Sequence, residues 1–175
     1  KTKLLLCSLL VLCAVFFGMT AFAADDIVFT FENEDSLAGW STSYLRYNFD
    51  PGYFNGYAFE KSANLSDPMF ISPTLDINAE DYRYVVFNMK FSLDASWNRN
   101  GRIFFLVPDG KWEQAYSVSS GRYENLNQTD FINVVFDMSQ SETWSGVIKQ
   151  LRIDPFEAPG TIGLRSITIT NTLPA

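Results

Sequence analysis

The chain has 175 residues and is acidic, with 20 Asp and Glu against 13 Lys and Arg and a formal net charge of −7. A surface of this sign repels the phosphates of nucleic acids and anionic lipid headgroups, so both kinds of partner are excluded. The sequence has no histidine, and its two cysteines, Cys7 and Cys13, lie close to the amino terminus. Catalysis by histidine or cysteine and typical zinc sites are therefore excluded from the rest of the chain.

The amino terminus has the pattern of a secretory signal peptide. Lys1 and Lys3 supply positive charge, residues 4–17 are almost wholly apolar, and Ala21-Phe22-Ala23 places small residues at a cleavage site. The alternative is a membrane anchor, because residues 4–24 are about long enough to cross a bilayer. The short apolar core favours a signal peptide, so we predict a secreted or cell-surface protein that has no membrane contact after cleavage.

Cleavage of residues 1–24 would leave residues 25–175, which we predict to form one domain. This domain contains no cysteine, so its stability must come from packing rather than from disulfides. Loss of Lys1 and Lys3 leaves 11 basic against 20 acidic residues, a net charge of −9. That balance favours a neutral or cationic partner.

From residue 26 onward, apolar and polar residues alternate. The alternation is clearest in residues 27–31 and 85–93, and a period of two is typical of strands with one buried face. Turn-forming pairs such as Asn100-Gly101 and Pro159-Gly160 separate the runs. The pattern predicts an all-β fold, a two-sheet antiparallel β-sandwich, with further strands at residues 103–107, 112–120, 132–138, 150–154 and 162–170.

The last predicted strand changes its buried face part-way. Its apolar residues stand at even positions, Ile162 and Leu164, and then at odd positions, Ile167 and Ile169. A strand can keep one face buried across this change only by inserting an extra residue. We therefore predict a β-bulge near Arg165-Ser166.

Several short segments spaced along the domain carry a family resemblance: Phe31-Glu32, Gly39-Trp40, Asp67-Pro68, Ser72-Pro73, residues 79–90 (AEDYRYVVFNMK), Trp144-Ser145-Gly146, Leu151-Arg152-Ile153-Asp154-Pro155 and residues 160–169. Together they resemble the jelly-roll domains of the galactose-binding-like superfamily, and most of all the carbohydrate-binding-module-like domains of bacterial surface proteins and polysaccharide-degrading enzymes. The resemblance implies a two-sheet jelly roll that binds glycans through a concave sheet face or rim loops. By the same resemblance, Trp40 and Trp144 are expected to have structural roles in the fold.

Such domains often hold a structural calcium ion, and the resemblance places one ligand position at Glu32. The matching acidic position of the last strand is occupied by Arg165 in this sequence. Glu34 and Asp35 could join Glu32 in offering oxygen ligands to calcium. The alternative is that these three acidic residues form a solvated turn after the first strand.

Sugar binding needs exposed aromatic rings, on which a pyranose packs, and polar side chains that bond its hydroxyl groups. Trp97 is the leading candidate, because it lies in a polar loop, residues 94–101, with no periodic reason to contain an indole. Its alternative role is to anchor that loop to the edge of the sandwich.

Further candidates come from the predicted strands. Trp112, Gln114 and Tyr116 would share one face of a strand over residues 112–120, either as a ring-and-amide strip or as part of the core. Four more side chains project opposite to their apolar neighbours and could bind a ligand: Tyr44, Arg46, Lys90 and Arg102. Of these, Lys90 and Arg102 could line a concave face. Arg152 and Asp154 are predicted to form an ion pair.

We predict a non-catalytic module that binds neutral polysaccharide or cell-wall glycan. The alternative is a structural spacer or adhesion domain of a surface protein without a sugar site. Glycosidases need only two carboxylates, so a pair that includes Glu113 or Asp94 is a further alternative. Residues 171–175 follow the last predicted strand, and a connection to another domain of the same protein could begin there.

Overall fold

A computed structural model describes residues 24–37, 39–59, 67–94 and 100–174. The predicted signal peptide therefore lies outside the described residues, apart from Ala24, and so does Trp97. Within these ranges no helix has both the length and the apolar character needed to cross a membrane.

Strands dominate the described ranges, where the helical segments are short 3₁₀ turns and the remaining residues form turns and loops. In chain order the strands are β1 (Ile27–Thr30), β2 (Ser41–Ser43), β3 (Leu45–Asp50), β4 (Tyr53–Ala58), β5 (Met69–Ile71), β6 (Ile77–Asn78), β7 (Tyr84–Leu93), β8 (Asn100–Leu106), β9 (Ser117–Arg122), β10 (Asn127–Asp137), β11 (Val147–Ile148), β12 (Gln150–Asp154) and β13 (Gly160–Thr170). The 3₁₀ turns are Glu34–Leu37, Ala79–Asp81, Gln114–Tyr116 and Met138–Gln140.

The strands form two large antiparallel sheets. The six-stranded sheet has the order β10-β7-β13-β4-β3, and β1 pairs with the carboxy-terminal part of β13. The five-stranded sheet has the order β2-β5-β12-β8-β9, while β6 and β11 form a separate pair. The chain passes from one sheet to the other between β7 and β8 and again between β9 and β10, so both sheets are built from distant parts of the sequence.

The apolar faces of the two large sheets meet in one core. Phe54 of β4 and Phe70 of β5 belong to different sheets, and their ring centroids lie 5.2 Å apart. Phe31 also contacts the ring of Phe70. All three side chains are buried, and burial of each stabilises the fold by about 1.5–3 kcal/mol. This packing confirms the predicted all-β fold with antiparallel sheets.

Trp40 and Trp144 both have structural roles, as predicted. Trp40 is buried and packs edge-on against Phe29 at 5.2 Å between ring centroids. Trp144 donates its indole N–H to the backbone carbonyls of Ala79 and Tyr82, at 3.0 and 2.8 Å. Each indole therefore ties neighbouring segments to the sandwich.

The predicted bulge in the last strand is confirmed. The pairing of β13 with β7 shifts register between Leu164 and Ser166, which leaves Arg165 as the extra residue. Arg165 is exposed while Leu164 and Ile167 are both buried, so the apolar residues keep one face across the change. The carbonyl of Arg165 accepts a hydrogen bond from the N–H of Phe31 at 2.8 Å, which satisfies the bulged backbone.

The strand predicted over residues 112–120 is wrong in its first half. The strand β9 begins only at Ser117, and the residues before it form a 3₁₀ turn in which the N–H of Tyr116 bonds the carbonyl of Glu113 at 3.0 Å. The carbonyl of Ala115 accepts a hydrogen bond from the hydroxyl of Thr143 at 2.7 Å. Contacts with a distant segment therefore replace strand pairing here, and the alternation of faces does not apply.

An ion-pair network on the five-stranded sheet confirms the predicted pairing of Arg152 with Asp154. The guanidinium of Arg152 donates to both carboxylate oxygens of Asp154, at 2.8 and 2.7 Å, and also to Asp67 at 3.1 Å. The Asp154 side chain is only 4% exposed. Burial raises the pKa of Asp154 to about 6, while its bonds from Arg152 act in the opposite direction.

We predict that Arg152→Ala lowers the free energy of unfolding by about 3 kcal/mol, because it leaves the buried Asp154 carboxylate without its partner. Urea denaturation measures the loss. The double variant Arg152→Ala with Asp154→Asn should recover part of it, since no buried charge then remains. A double variant as unstable as the sum of its two single variants would contradict this explanation.

Candidate functional site

The outer face of the six-stranded sheet carries a band of aromatic and amide side chains. In β4 the side chains of Tyr53, Asn55 and Tyr57 point away from the core, because they alternate with the buried residues Phe54 and Ala58. Tyr57 is 43% exposed as a residue. This band gives the sheet a polar outer face with aromatic surface in it.

Two adjoining grooves run over this face. The first has a volume of about 300 Å³ and is lined by Tyr53, Asn55, Lys90, Phe91, Ser92, Asn127, Gln128, Thr129, Thr161, Ile162 and Gly163. The second is lined by Arg46, Tyr47, Asn48, Asn55, Gly56, Tyr57 and Thr161. They share Asn55 and Thr161, so they form one continuous surface across strands β10 to β3, which we call the outer groove.

Lys90 lies between two aromatic rings in the outer groove. Its ammonium nitrogen is 4.3 Å from the ring centroid of Tyr53 and 5.1 Å from that of Phe131. Arg165 lies over the ring of Phe131, with its guanidinium carbon 3.8 Å from the centroid. Cations at these distances are attracted by the negative face of a ring. We call these four residues the cation–ring ladder.

Two bulges, one on each side of β7, place Phe131 and Arg165 in the ladder. The bulge in β13 turns Arg165 outward. In β10, Gln128 pairs with Phe91 and Ile132 with Met89, so three residues including Phe131 stand opposite Lys90 alone. Bulges re-aim side chains that regular pairing would direct elsewhere. The ladder therefore exists because both neighbours of β7 carry extra residues at the same level.

Gly163 makes room for the side chain of Lys90. It pairs with Lys90 across the sheet, and an added Cβ would lie 2.8 Å from Cε and 2.9 Å from Cγ of Lys90 and 3.2 Å from the ring of Tyr53. The lysine stem thus lies flat across β13. Any side chain at position 163 would push the ammonium group away from the rings.

Hydrogen bonds fix the aromatic end of the ladder. The ammonium group of Lys90 donates to the hydroxyl of Tyr53 at 3.2 Å, and that hydroxyl donates to Asp50 at 2.6 Å. The amide of Asn55 donates to the same Asp50 oxygen at 2.9 Å. The Asp50 carboxylate is thereby engaged, while two of the three N–H groups of Lys90 have no protein partner within the described part of the chain.

Of the residues predicted from sequence, Lys90 and Arg46 line the outer groove, and Tyr44 is not among its lining residues. Tyr44 directly precedes β3, in a left-handed backbone conformation with φ of 55°, and its ring lies 6.0 Å from that of Phe59. Arg102 projects outward as predicted, but from the five-stranded sheet, where it bonds Ser117. Lys90 and Arg102 therefore do not line one face.

Trp112, Gln114 and Tyr116 lie in the segment between β8 and β9, away from the outer groove. Gln114 is exposed, Trp112 is half-buried, and Tyr116 packs edge-on against the core residue Phe105 at 5.9 Å. Because this segment is not a strand until Ser117, the predicted ring-and-amide strip does not form. A role for these three residues or for Trp97 in binding stays a prediction.

The acidic residues predicted as metal ligands do not come together. Glu32, Glu34 and Asp35 are all exposed, and no group of three or more acidic or sulfur side chains in the described ranges is arranged to hold a metal ion. Glu34 and Asp35 instead begin the 3₁₀ turn after β1. Calcium binding at these residues stays a prediction.

Several residues of the groove and of the cation–ring ladder were not predicted as binding residues from the sequence. In residues 53–58 (YFNGYA), Tyr53, Asn55 and Tyr57 alternate with the other three residues, but both faces of this strand contain aromatic residues, so the alternation does not indicate which face is buried. Phe131 and Arg165 join the cation–ring ladder only through bulges, and the bulge in β10 has no clear signal in the sequence.

Solved structures of carbohydrate-binding modules resemble this chain. A single-site variant of a family 29 module matches with a TM-score of 0.55 at 8% identity, over 85% of this chain and 93% of that one. The likeness establishes the fold. Another variant of that module, complexed with cellulohexaose, gives 0.54 at 8% identity over 84% and 91% of the two chains. The resemblance to the jelly-roll domains of carbohydrate-binding modules is thereby confirmed.

A xylan-binding module of family 86 from the gut symbiont Roseburia intestinalis is 12% identical to this chain. The match covers 85% of this chain and 97% of that one, with a TM-score of 0.47. No protein-family model and no curated protein sequence matches the chain.

We predict that Gly163→Ala displaces the ammonium group of Lys90 from the cation–ring ladder. The cost in stability should stay below about 1 kcal/mol, because the lysine chain can swing outward into solvent. The freed amine should then be acylated faster than in the wild-type protein, as measured by mass spectrometry. Lys111, an exposed loop residue, serves as the internal control, and an unchanged ratio of Lys90 to Lys111 labelling would show that Gly163 has no such role.

Proposed function

We propose that the protein is a carbohydrate-binding module without catalytic activity, and that it binds polysaccharide in the outer groove. The observation that carries this proposal is the exposed ring of Tyr57 beside a groove lined by amide and hydroxyl side chains. The similarity to known carbohydrate-binding modules supports it at the level of the fold.

The chemistry of the groove suits a sugar chain. The apolar face of a pyranose ring can pack on Tyr57, while hydroxyl groups at its edge exchange hydrogen bonds with amide side chains that both donate and accept. Asn48, Asn55, Asn127 and Gln128 supply such amides along the groove. A groove that crosses several strands can hold more than one sugar unit of a polymer.

The lining of the groove supports binding rather than hydrolysis. Glycosidases place two carboxylates on opposite sides of the scissile bond. The described residues that line the outer groove include no Asp or Glu. Asp50 lies beside the lining on the same face, opposite Tyr53 in the pairing of β3 with β4, and its carboxylate already accepts bonds from Tyr53 and Asn55.

The sequence supports an exported location for this activity. The predicted signal peptide implies a secreted or cell-surface protein, such as a bacterial surface protein or polysaccharide-processing enzyme, to which further domains could be joined. A single open site binds weakly, and attachment to other domains or repeated contact with a polymer raises the effective affinity. Neutral polysaccharide or cell-wall glycan is the ligand class predicted from the net charge of the domain.

We predict that the protein is retained on polysaccharide and that Tyr57→Ala weakens this retention about fivefold or more, because loss of ring stacking costs about 1 kcal/mol. Pull-down on insoluble glycans and affinity electrophoresis in gels with soluble glycans measure the effect. Trp112→Ala is the matched comparison, since it removes a ring from outside the groove and should leave retention unchanged.

Thermal denaturation of each variant separates a lost contact from a lost fold. If Trp112→Ala abolishes retention while Tyr57→Ala does not, the ligand binds at the segment before β9 and the outer groove is the wrong site. If no glycan retains the wild-type protein, the proposal fails and a structural spacer is the better explanation.

A further inference from the structure

We propose that the outer groove selects glycan chains that carry anionic groups, either uronate carboxylates or sulfate esters. This inference rests on the proposed function and specifies its ligand class. The prediction of a neutral ligand depends on the charge of the whole chain, whereas a ligand in a groove meets first the charges that line it.

Charge is segregated on this protein. The chain has 20 acidic residues and a net charge of −7. The described lining of the outer groove nevertheless includes two cations, Lys90 and Arg46, and no carboxylate. Arg165 adds a third cation at the end of the cation–ring ladder. The charged side chains that line the groove are therefore opposite in sign to the net charge of the whole molecule, while the nearby carboxylates of Asp50 and Asp94 accept hydrogen bonds from Tyr53, Asn55 and Tyr57.

The groove cations differ from other cations of the protein in their partners. Arg83, Lys149 and Arg152 each form an ion pair with an aspartate. Within the described ranges, Lys90 and Arg165 have no carboxylate at ion-pair distance and are held instead by aromatic rings. Rings orient a cation without neutralising it. The positive charge at this site is thus held in place and still available to a ligand.

The hydrogen-bonding capacity of Lys90 also favours an anionic ligand. Its ammonium group has three N–H donors and no acceptor, and among the described residues one donor is used, by the hydroxyl of Tyr53. A carboxylate or sulfate oxygen accepts such bonds more strongly than a sugar hydroxyl does. An anionic group of the ligand would therefore gain the most at this position.

The cations are spaced for a polymer. Lys90 of β7 pairs with Gly163 of β13, which pairs with Asn55 of β4, and Asn55 pairs with Asn48 of β3, two residues from Arg46. The backbones of Lys90 and Arg46 are thus separated by three strand spacings, or roughly 14 Å across the sheet, and the ammonium group of Lys90 reaches part of that way, to Tyr53 of β4. Two anionic groups on one glycan chain could contact both cations at once.

The test uses matched pairs of polysaccharides that differ only in charge: polygalacturonate with its methyl ester, and dextran sulfate with dextran. The first pair probes carboxylates and the second probes sulfate esters. Binding to the wild-type protein is measured by affinity electrophoresis and calorimetry at low and moderate salt. We expect at least one anionic polymer to bind about tenfold more tightly than its neutral partner, with a preference that shrinks as salt screens the charges.

Lys90→Gln should remove most of this preference, and Lys111→Gln, the same change in an exposed loop, should leave it intact. Arg165→Gln provides a second variant should Lys90→Gln fail to fold. Equal binding of charged and neutral polymers overturns the inference while the proposed function stands. An equal loss of preference in Lys111→Gln and Lys90→Gln also overturns it, since the effect would then come from bulk charge. Binding to none of these polymers, nor to any neutral glycan, overturns both proposals.

Discussion

The rest of the structure depends on the burial of one face of each large sheet in a shared apolar core. With no cysteine after Cys13, the domain has no disulfide to hold the sheets together, so phenylalanine contacts such as that between Phe54 and Phe70 must do so. Because side chains alternate along a strand, burial of one face in the core leaves the other face exposed to solvent. The bulge at Arg165 keeps the apolar residues on the buried face where the sequence changes phase, and it leaves Arg165 on the outer face, over the ring of Phe131.

Much of the fold follows from the sequence, because the core strands alternate clearly. The last strand before residue 155 was predicted with its observed bounds, Gln150–Asp154, and the bulge was located from the change of phase between Leu164 and Ile167. The segment before Ser117 could not be predicted in the same way. Its turn is supported by a bond from Thr143 to Ala115, and a contact between residues so far apart leaves no periodic signal in either segment.

The candidate site was predicted only in part, for two physical reasons. Lys90 and Arg46 were recognised because a charged residue between apolar ones marks the outer face of a strand. Tyr53 and Tyr57 were not, because tyrosine is apolar enough for a core and polar enough for a surface, so it gives no contrast with Phe54. Phe131 was missed because a bulge, rather than alternation, directs it outward.

The packing of Lys90 against Tyr53 and Phe131 has a consequence for the thermodynamics of association. A free lysine side chain loses about 2 kcal/mol of rotamer entropy when a ligand immobilises it. Here the rings, the hydroxyl of Tyr53 and the flat surface of Gly163 already restrict that side chain before any ligand arrives. The protein is thus preorganised at this point, and a shallow groove can achieve useful affinity with few contacts.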